Sequence, residues 1–293
     1  VADVDLAQLR ALVAVVDEGS FDAAASRLHL TPSAVSQRIK ALEQSAGRVL
    51  VRRTKPAEAT ESGHAYLRLA RQVVSLVNEV RVEVDQEEQR LPTIPLAVNG
   101  DSLATWVLPA LAGLSGTAYF DIRREDEGRT ADLLRSGTVM AAITSDASPV
   151  QGCRSSRLGT MRYRPMASPE FVAEWFARGV DSASLNAATV VVFDRSDDLQ
   201  DAYLRQRSRR RLDPPRHHIP ASSQFAEAIR LGLGWGMLPR EQSEAAERAG
   251  LLVDFDPEHH VDVTLYWQQW TLHTPALEAT AQAIRSAAAD HLM

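Results

Sequence analysis

The 293-residue chain is 45% hydrophobic with a formal net charge of −6, which indicates a globular protein large enough for two or three domains. Its one cysteine, Cys153, excludes an intrachain disulfide and a cysteine-built zinc site. No apolar run approaches the roughly 18 residues of a membrane span, and Asp3 and Asp5 stand where a signal peptide would carry Lys or Arg, so a cytoplasmic location with no membrane partner is expected.

The overall charge argues against nucleic acid, but its distribution does not. Between Arg27 and Lys55 stand seven basic residues (Arg27, Arg38, Lys40, Arg48, Arg52, Arg53, Lys55) against one acid, Glu43, whereas residues 61–293 are net −7. A basic module on an acidic body is a footprint for phosphate contact, although a solvated face gives the same count.

Leu6, Leu9, Leu12, Val13 and Val16 recur at helical spacing and predict a helix over about 5–17, stopped by Gly19. Ser20 is a suitable N-cap for a second helix over about 21–28, and Thr31 for a third with Pro32 in its first turn. The core face of the third helix is Val35, Ile39 and Leu42. Small residues (Ala24, Ala25, Ala34) let the second and third helices cross closely. The outward face of the third carries Thr31, Pro32, Ser33, Ser36, Gln37, Arg38 and Lys40, groups that reach bases and phosphates when a helix enters the major groove. The pattern predicts a helix-turn-helix rather than a plain helical bundle.

Val49–Val51 alternates briefly and predicts a two-stranded wing that sets Arg52 and Arg53 beside the DNA backbone or minor groove. From Thr60 to about Glu88 runs a long helix with a heptad stripe (Tyr66, Leu69, Val73, Leu76, Val80, Val84) and a charged opposite face (Arg68, Arg71, Glu79, Arg81, Glu83). Such a stripe predicts pairing with a second copy rather than packing on its own chain. "LPTIP" at 91–95 ends the helix. The expected domains are residues 1–59 (reading head), 60–90 (linker helix) and 91–293 (an α/β body).

The body alternates strand and helix, which predicts two α/β lobes with ligand sites near strand ends. The first lobe is expected at about 93–166 and 268–293, the second at about 167–267, with "VTLYWQQW" returning the chain. Asp101–Ser102 is expected to cap the helix "LATWVLPAL". Ser102 and Ser223 stand at strand-to-helix junctions, where backbone N–H groups favour a carboxylate. Acids gather at strand ends: Glu125, Asp126 and Glu127 in one lobe, Asp194, Asp197 and Asp198 in the other. The candidate effector residues are Asn99, Asp101, Ser102, Glu125, Asp126, Thr144, Asp194, Asp198 and Ser223; an amino acid with a cationic side chain needs both hydroxyl or N–H donors and carboxylates. Each acid taken alone reads more readily as a helix cap or a solvated loop residue, and Asp197–Asp198 as a cap of the following helix.

Other features carry less. The pairs His217–His218 and His259–His260 are adjacent, not at the i, i+4 spacing of two ligands on one helix face, so no metal is expected. "GLGWG" at 232–236 follows a helix and reads as a turn, and "RQRSRRR" at 205–211 as a solvated helix end rather than a further DNA or polymerase contact. Trp106, Trp267 and Trp270 are expected in the core or the cleft lining. Cys153 is expected to be inert unless its pKa is low.

The layout resembles the LysR-type transcriptional regulators, and the resemblance covers the whole chain. "TPSAVSQRIKALE" is similar to that family's recognition helix, while "LAVNGDSLATWVLPAL", "EDEGRT", "VVVFDRSDDLQ", "LYWQQW" and "EAIRLGLGWGMLP" resemble its ArgP or LysG branch. The resemblance implies a winged helix-turn-helix, a dimerising linker helix and a two-lobed, periplasmic-binding-protein-like effector domain. It implies DNA reading by Pro32, Ser33, Ser36, Gln37 and Arg53. Many members have Arg where this chain has Gln37, so base preference there does not transfer. It further implies no cofactor, a lysine, arginine or histidine effector, activation of an exporter gene, contact with RNA polymerase, and a homodimer assembling to a tetramer. An enzyme is the first rival, but no nucleophile elbow, metal-spaced histidine pair or dinucleotide fingerprint supports catalytic residues. A solute receptor is the second, and it would need export.

Overall fold

The computed structural model describes residues 5–84, 91–124, 127–272 and 274–293. Three short helices open the chain: α1 (Leu6–Glu18), α2 (Phe21–Leu28) and α3 (Pro32–Ala46). Their ends are where the capping chemistry sets them. Asp5 accepts from the Ala7 and Gln8 N–H groups, Ser20 from Ala23, and Thr31 from Ala34. Gly19 and Gly47 adopt the left-handed conformation that ends α1 and α3. Leu12, Val15, Ala24, Val35, Ile39 and Leu42 close one core.

The wing is shorter than the Val49–Val51 alternation predicts. Strands β1 (Val51–Arg52) and β2 (Glu58–Ala59) pair antiparallel, and Val49 is exposed. Glu43 explains the start. Its carboxylate accepts from the Leu50 and Val51 N–H groups at 2.8 and 3.2 Å, so the single acid of the basic segment pins the wing to α3.

Thr60 accepts from the Gly63 N–H and opens the linker helix α4 (Glu61–Val84). The predicted stripe divides. Tyr66 and Val73 lean on the reading head, beside buried Leu67 and Ala70, whereas Leu69, Leu76 and Val80 are exposed. The charged opposite face meets the body: Arg71 bonds Ser136 and Thr138, and Arg68 lies against Gly137 and Gly152. The side chains of Glu79, Arg81, Glu83 and Val84 lie outside the described residues.

The body contains β3 (Thr93–Val98), α5 (Gly100–Ser102) continuing through a π turn (Leu103–Val107) into α6 (Leu108–Ala112), β4 (Tyr119–Arg124), α7 (Glu127–Arg135), β5 (Ala141–Thr144) and the long β6 (Cys153–Ala167). A second lobe follows with α8 (Pro169–Trp175), α9 (Ser182–Ala187), β7 (Val190–Val192), α10 (Leu199–Arg207), β8 (Arg216–His218), α11 (Ser222–Arg230), β9 (Gly236–Pro239), α12 (Arg240–Arg248) and β10 (Val253–Asp254). Strand β11 (Val261–Trp270) returns the chain, and α13 (Pro275–His291) closes the first lobe.

One seven-stranded sheet runs in the order β10-β6-β11-β5-β3-β4, with β9 also on β6. The strands β3, β4 and β5 are parallel, while β6 and β11 are antiparallel. The lobes are therefore joined by two long paired strands, with a register shift at Leu265/Tyr266. The expected α plus α/β architecture, with a two-lobed body, is the one observed. Trp106, Trp267 and Trp270 are buried in the main core and do not line the cleft.

Candidate functional site

The outer face of α3 presents Thr31, Pro32, Ser33, Gln37 and Lys40 exposed, with Ser36 and Arg38 half-buried. Val35, Ile39 and Leu42 anchor the opposite face, so the polar groups stand on a rigid support. Arg52 and Arg53 are exposed on and beside the wing. The Arg53 guanidinium lies 4.9 Å from the centre of the Phe21 ring, a contact that holds it at the edge of the reading head. Arg27, counted among the basic residues, is engaged elsewhere: it pairs with Asp17 and Glu18 at 3.3 and 3.2 Å.

Between the lobes lies a cavity of about 360 Å³. The C-terminal ends of β3, β5 and β7 supply most of its wall, as expected for an α/β sheet. From the first lobe come Asn99, Gly100, Asp101, Thr130, Thr144 and Ser145, and from the second Phe193, Asp194, Ser196, Asp197, Asp198 and Gln200. Tyr163, Val263 and Leu265 of the crossing strands form the floor. Among the described residues four aspartates and no Lys, Arg or His line it. Asn99 Oδ1, in its first-lobe wall, has no hydrogen-bond partner among the described residues, nor has the buried Ser102 Oγ three residues further along, which is not itself in the lining. Such groups are costly unless a ligand satisfies them.

The expected residues fall into place unevenly. Asn99, Asp101, Thr144, Asp194 and Asp198 line the cavity. Asp101 does not cap its helix as expected; Asn99 holds the N-cap position, without a side-chain bond. The Asp101 carboxylate instead accepts from the Tyr163 hydroxyl at 2.9 Å and from Ser222 across the cleft. Ser102 is buried within the first turn rather than at a junction. Ser223 is exposed; its neighbour Ser222 is the buried serine that faces Asp101. A one-residue displacement on a helix turns a side chain by about 100°, which junction reasoning did not resolve. Glu125 and Asp126 lie outside the described residues. Asp198 is exposed and paired with Arg205 at 2.6 Å.

Asp197, which reads as a cap from sequence, is the more deeply placed acid. It accepts from the Phe193 and Leu199 N–H groups at 2.9 and 3.0 Å. Burial raises its pKa above the ordinary carboxylate range, those backbone donors lower it part of the way, and the charge of Asp101 raises it again. A second clasp spans the cleft rim: Arg124 donates to the Pro220 carbonyl at 3.1 Å and lies over the Phe193 ring at 5.5 Å. Sequence reading missed Tyr163, Ser222 and Arg124, because each acts through a partner at least 62 residues away.

No group of three or more His, Cys, Asp or Glu that could hold a metal occurs among the described residues. Cys153 is pushed up to a pKa of about 11 by burial, against a smaller opposing effect of Arg68, so its thiolate is scarce at neutral pH. No helix among the described residues is long and apolar enough to cross a membrane.

Comparison with known proteins agrees with both halves. The family model described as bacterial regulatory helix-turn-helix protein, lysR family, matches residues 6–64, and the LysR substrate binding domain matches residues 88–289. The lysine export transcriptional regulatory protein LysG of Corynebacterium efficiens is 44% identical over 289 residues, covering 96% of each chain. The crystal structure of ArgP from Mycobacterium tuberculosis superposes with a TM-score of 0.92 at 44% identity, covering 99% of each chain. Full-length LysG from Corynebacterium glutamicum with bound effector Arg superposes with a TM-score of 0.85 at 38% identity, again covering 99% of each. These relatives are transcriptional regulators, not enzymes. The chain belongs to the LysR family of bacterial helix-turn-helix transcriptional regulators.

Proposed function

We propose that this regulator binds a basic amino acid, arginine or lysine before histidine, between its lobes and in response activates a gene for amino-acid export. One observation carries the reading: among the described residues the cavity is lined by four aspartates and by no basic side chain. A guanidinium or ammonium group would meet Asp101, Asp194 and Asp197, as charge-assisted hydrogen bonding requires. The α-carboxylate would take the Ser102, Thr144 and Ser145 hydroxyls and the N–H groups that open α5. The relative with bound arginine and the relative named for lysine export favour the same class.

On DNA, Pro32, Ser33, Ser36 and Gln37 would meet base edges, with Thr31, Arg38, Lys40, Arg52 and Arg53 at phosphates or the minor groove. Pairing of α4 would set two heads on two half-sites, and the bodies would join dimers into a tetramer. Effector binding acts only through different affinities for two arrangements of this assembly. Contact with RNA polymerase and a cytoplasmic location belong to the same reading.

Calorimetric titration of the full-length chain with each of the twenty amino acids tests it. Saturable heat with arginine, lysine or histidine, and none with glutamate or leucine, is the expected result. Heat with an anionic or apolar amino acid instead would favour the second reading, a LysR-type regulator of another small molecule.

A further inference from the structure

The helix α7 touches two things at once. At its first-lobe end Thr130 is buried in the cavity wall. At the other end, the turn 136–138 is seated on the linker helix. Gly137 has φ +71°, and a Cβ there would stand 2.9 Å from the Arg68 Cα, so turn and helix backbone meet with no side chain between them. Ser136 and Thr138 share a hydroxyl–hydroxyl bond of 2.8 Å. Between them they present a carbonyl and a hydroxyl to one guanidinium: Arg71 of α4 donates to Ser136 O at 2.8 Å and to Thr138 Oγ1 at 3.0 Å.

The second terminal nitrogen of Arg71 pairs with the Asp17 carboxylate of α1. The other Asp17 oxygen is 3.3 Å from Arg27 in α2, the first helix of the helix-turn-helix pair. The Arg71 side chain is only 15% exposed, whereas Asp17 and Arg27 are 30% and 48% exposed, so the strict geometry is that of the Arg71 fork and the Asp17–Arg27 step is a solvent-facing one. A planar fork that serves two acceptors on one domain and a carboxylate on another cannot follow one without losing alignment on the other.

We infer that Arg71 is the coupling residue of this regulator: it transmits the position of α7, and hence the state of the cavity, through Asp17 and Arg27 to the reading head. The link between α7 and the head stands on the geometry above; its use in effector response rests on the proposed cavity reading. Asp17 is bonded to Arg27 and Arg71 but to nothing in the first lobe among the described residues, which makes it a remote handle on the turn 136–138.

Hydrogen exchange on the full-length chain tests the link without effector. Arg71→Met should speed exchange at amides 136–139 by about tenfold, the scale of one lost charge-assisted bond. Asp17→Asn should speed the same amides, and the double variant should exceed Arg71→Met by little. Unchanged protection of α1 in each variant shows that the head is still folded. Wild-type exchange at 136–139 in Asp17→Asn would overturn the inference. With arginine added, both wild type and Arg71→Met should give calorimetric heat, but only wild type should change exchange within residues 21–28. An equal change there in Arg71→Met would also overturn it. Absence of heat from the wild type would count against the effector reading alone, since the Asp17→Asn comparison decides the link independently.

Discussion

Ser222 and Ser223 are neighbours of one chemistry with opposite surroundings, one buried against Asp101 and the other in solvent. Replacing Ser222 with Ala removes a hydrogen bond to a carboxylate and should weaken arginine binding by about tenfold, whereas Ser223→Ala should leave it unchanged. Calorimetry on both variants checks this, and a larger loss in Ser223→Ala would reject the cavity geometry. Asp197 sets a pH dependence. Its pKa is raised chiefly by burial, and a bound cation would favour its charged form. The free chain then holds more protons than the complex through the raised range, so affinity should climb with pH across that range and level off above it. Titrations at a series of pH values should show the climb, and Asp197→Asn should remove most of it. At this scale the sequence revealed residue types well, since acids and hydroxyls at strand ends do line the cavity. Orientation was beyond it: which serine turns inward depends on where the helix begins.

At the scale of elements, local chemistry was most legible where the partners are near in sequence. Caps at Ser20 and Thr31, the stop at Gly19 and the apolar spacing of α3 each act within a turn, so the reading head could be read directly. The linker helix was read half correctly. Its apolar stripe survives as exposed Leu69, Leu76 and Val80, seven and four residues apart, as a paired seam requires. What its charged face meets was not legible, because the acceptors of Arg71, at Ser136 and Thr138, lie 65 and 67 residues along the chain. The double variant Leu76→Asp, Val80→Asp would bring four like charges together in each helix pair. It should separate the proposed dimer while Leu67 and Ala70 keep each head folded on its own linker. Sedimentation velocity would show the shift to a lighter species; an unchanged sedimentation coefficient would mean that another surface pairs the protomers.

The molecule as a whole separates charge, and that separation governs its approach to DNA. Between Arg27 and Lys55 the sequence offers seven basic residues as phosphate partners, but Arg27 is paired with Asp17 and Glu18 and faces the chain's own acids. Six remain: Arg38, Lys40, Arg48, Arg52, Arg53 and Lys55. Each neutralised phosphate releases condensed counterions, so these six should give a fall in the logarithm of affinity for duplex DNA with the logarithm of salt of slope about −5 per head when all are engaged. The acidic body, net −7 over residues 61–293, should lower nonspecific binding by repelling the same polyanion. Arg53→Ala should flatten the slope by about one and weaken binding to all sequences alike, because a backbone contact carries no base information. Arg27→Ala should leave the slope as it is. Ser33→Ala or Gln37→Ala should alter sequence preference at a constant slope, since neither carries charge. Fluorescence anisotropy across a salt series, with a selected duplex and a scrambled one, distinguishes the three classes. A flattened slope in Arg27→Ala with none in Arg53→Ala would mean that the head meets DNA through α2 and not through the wing and α3.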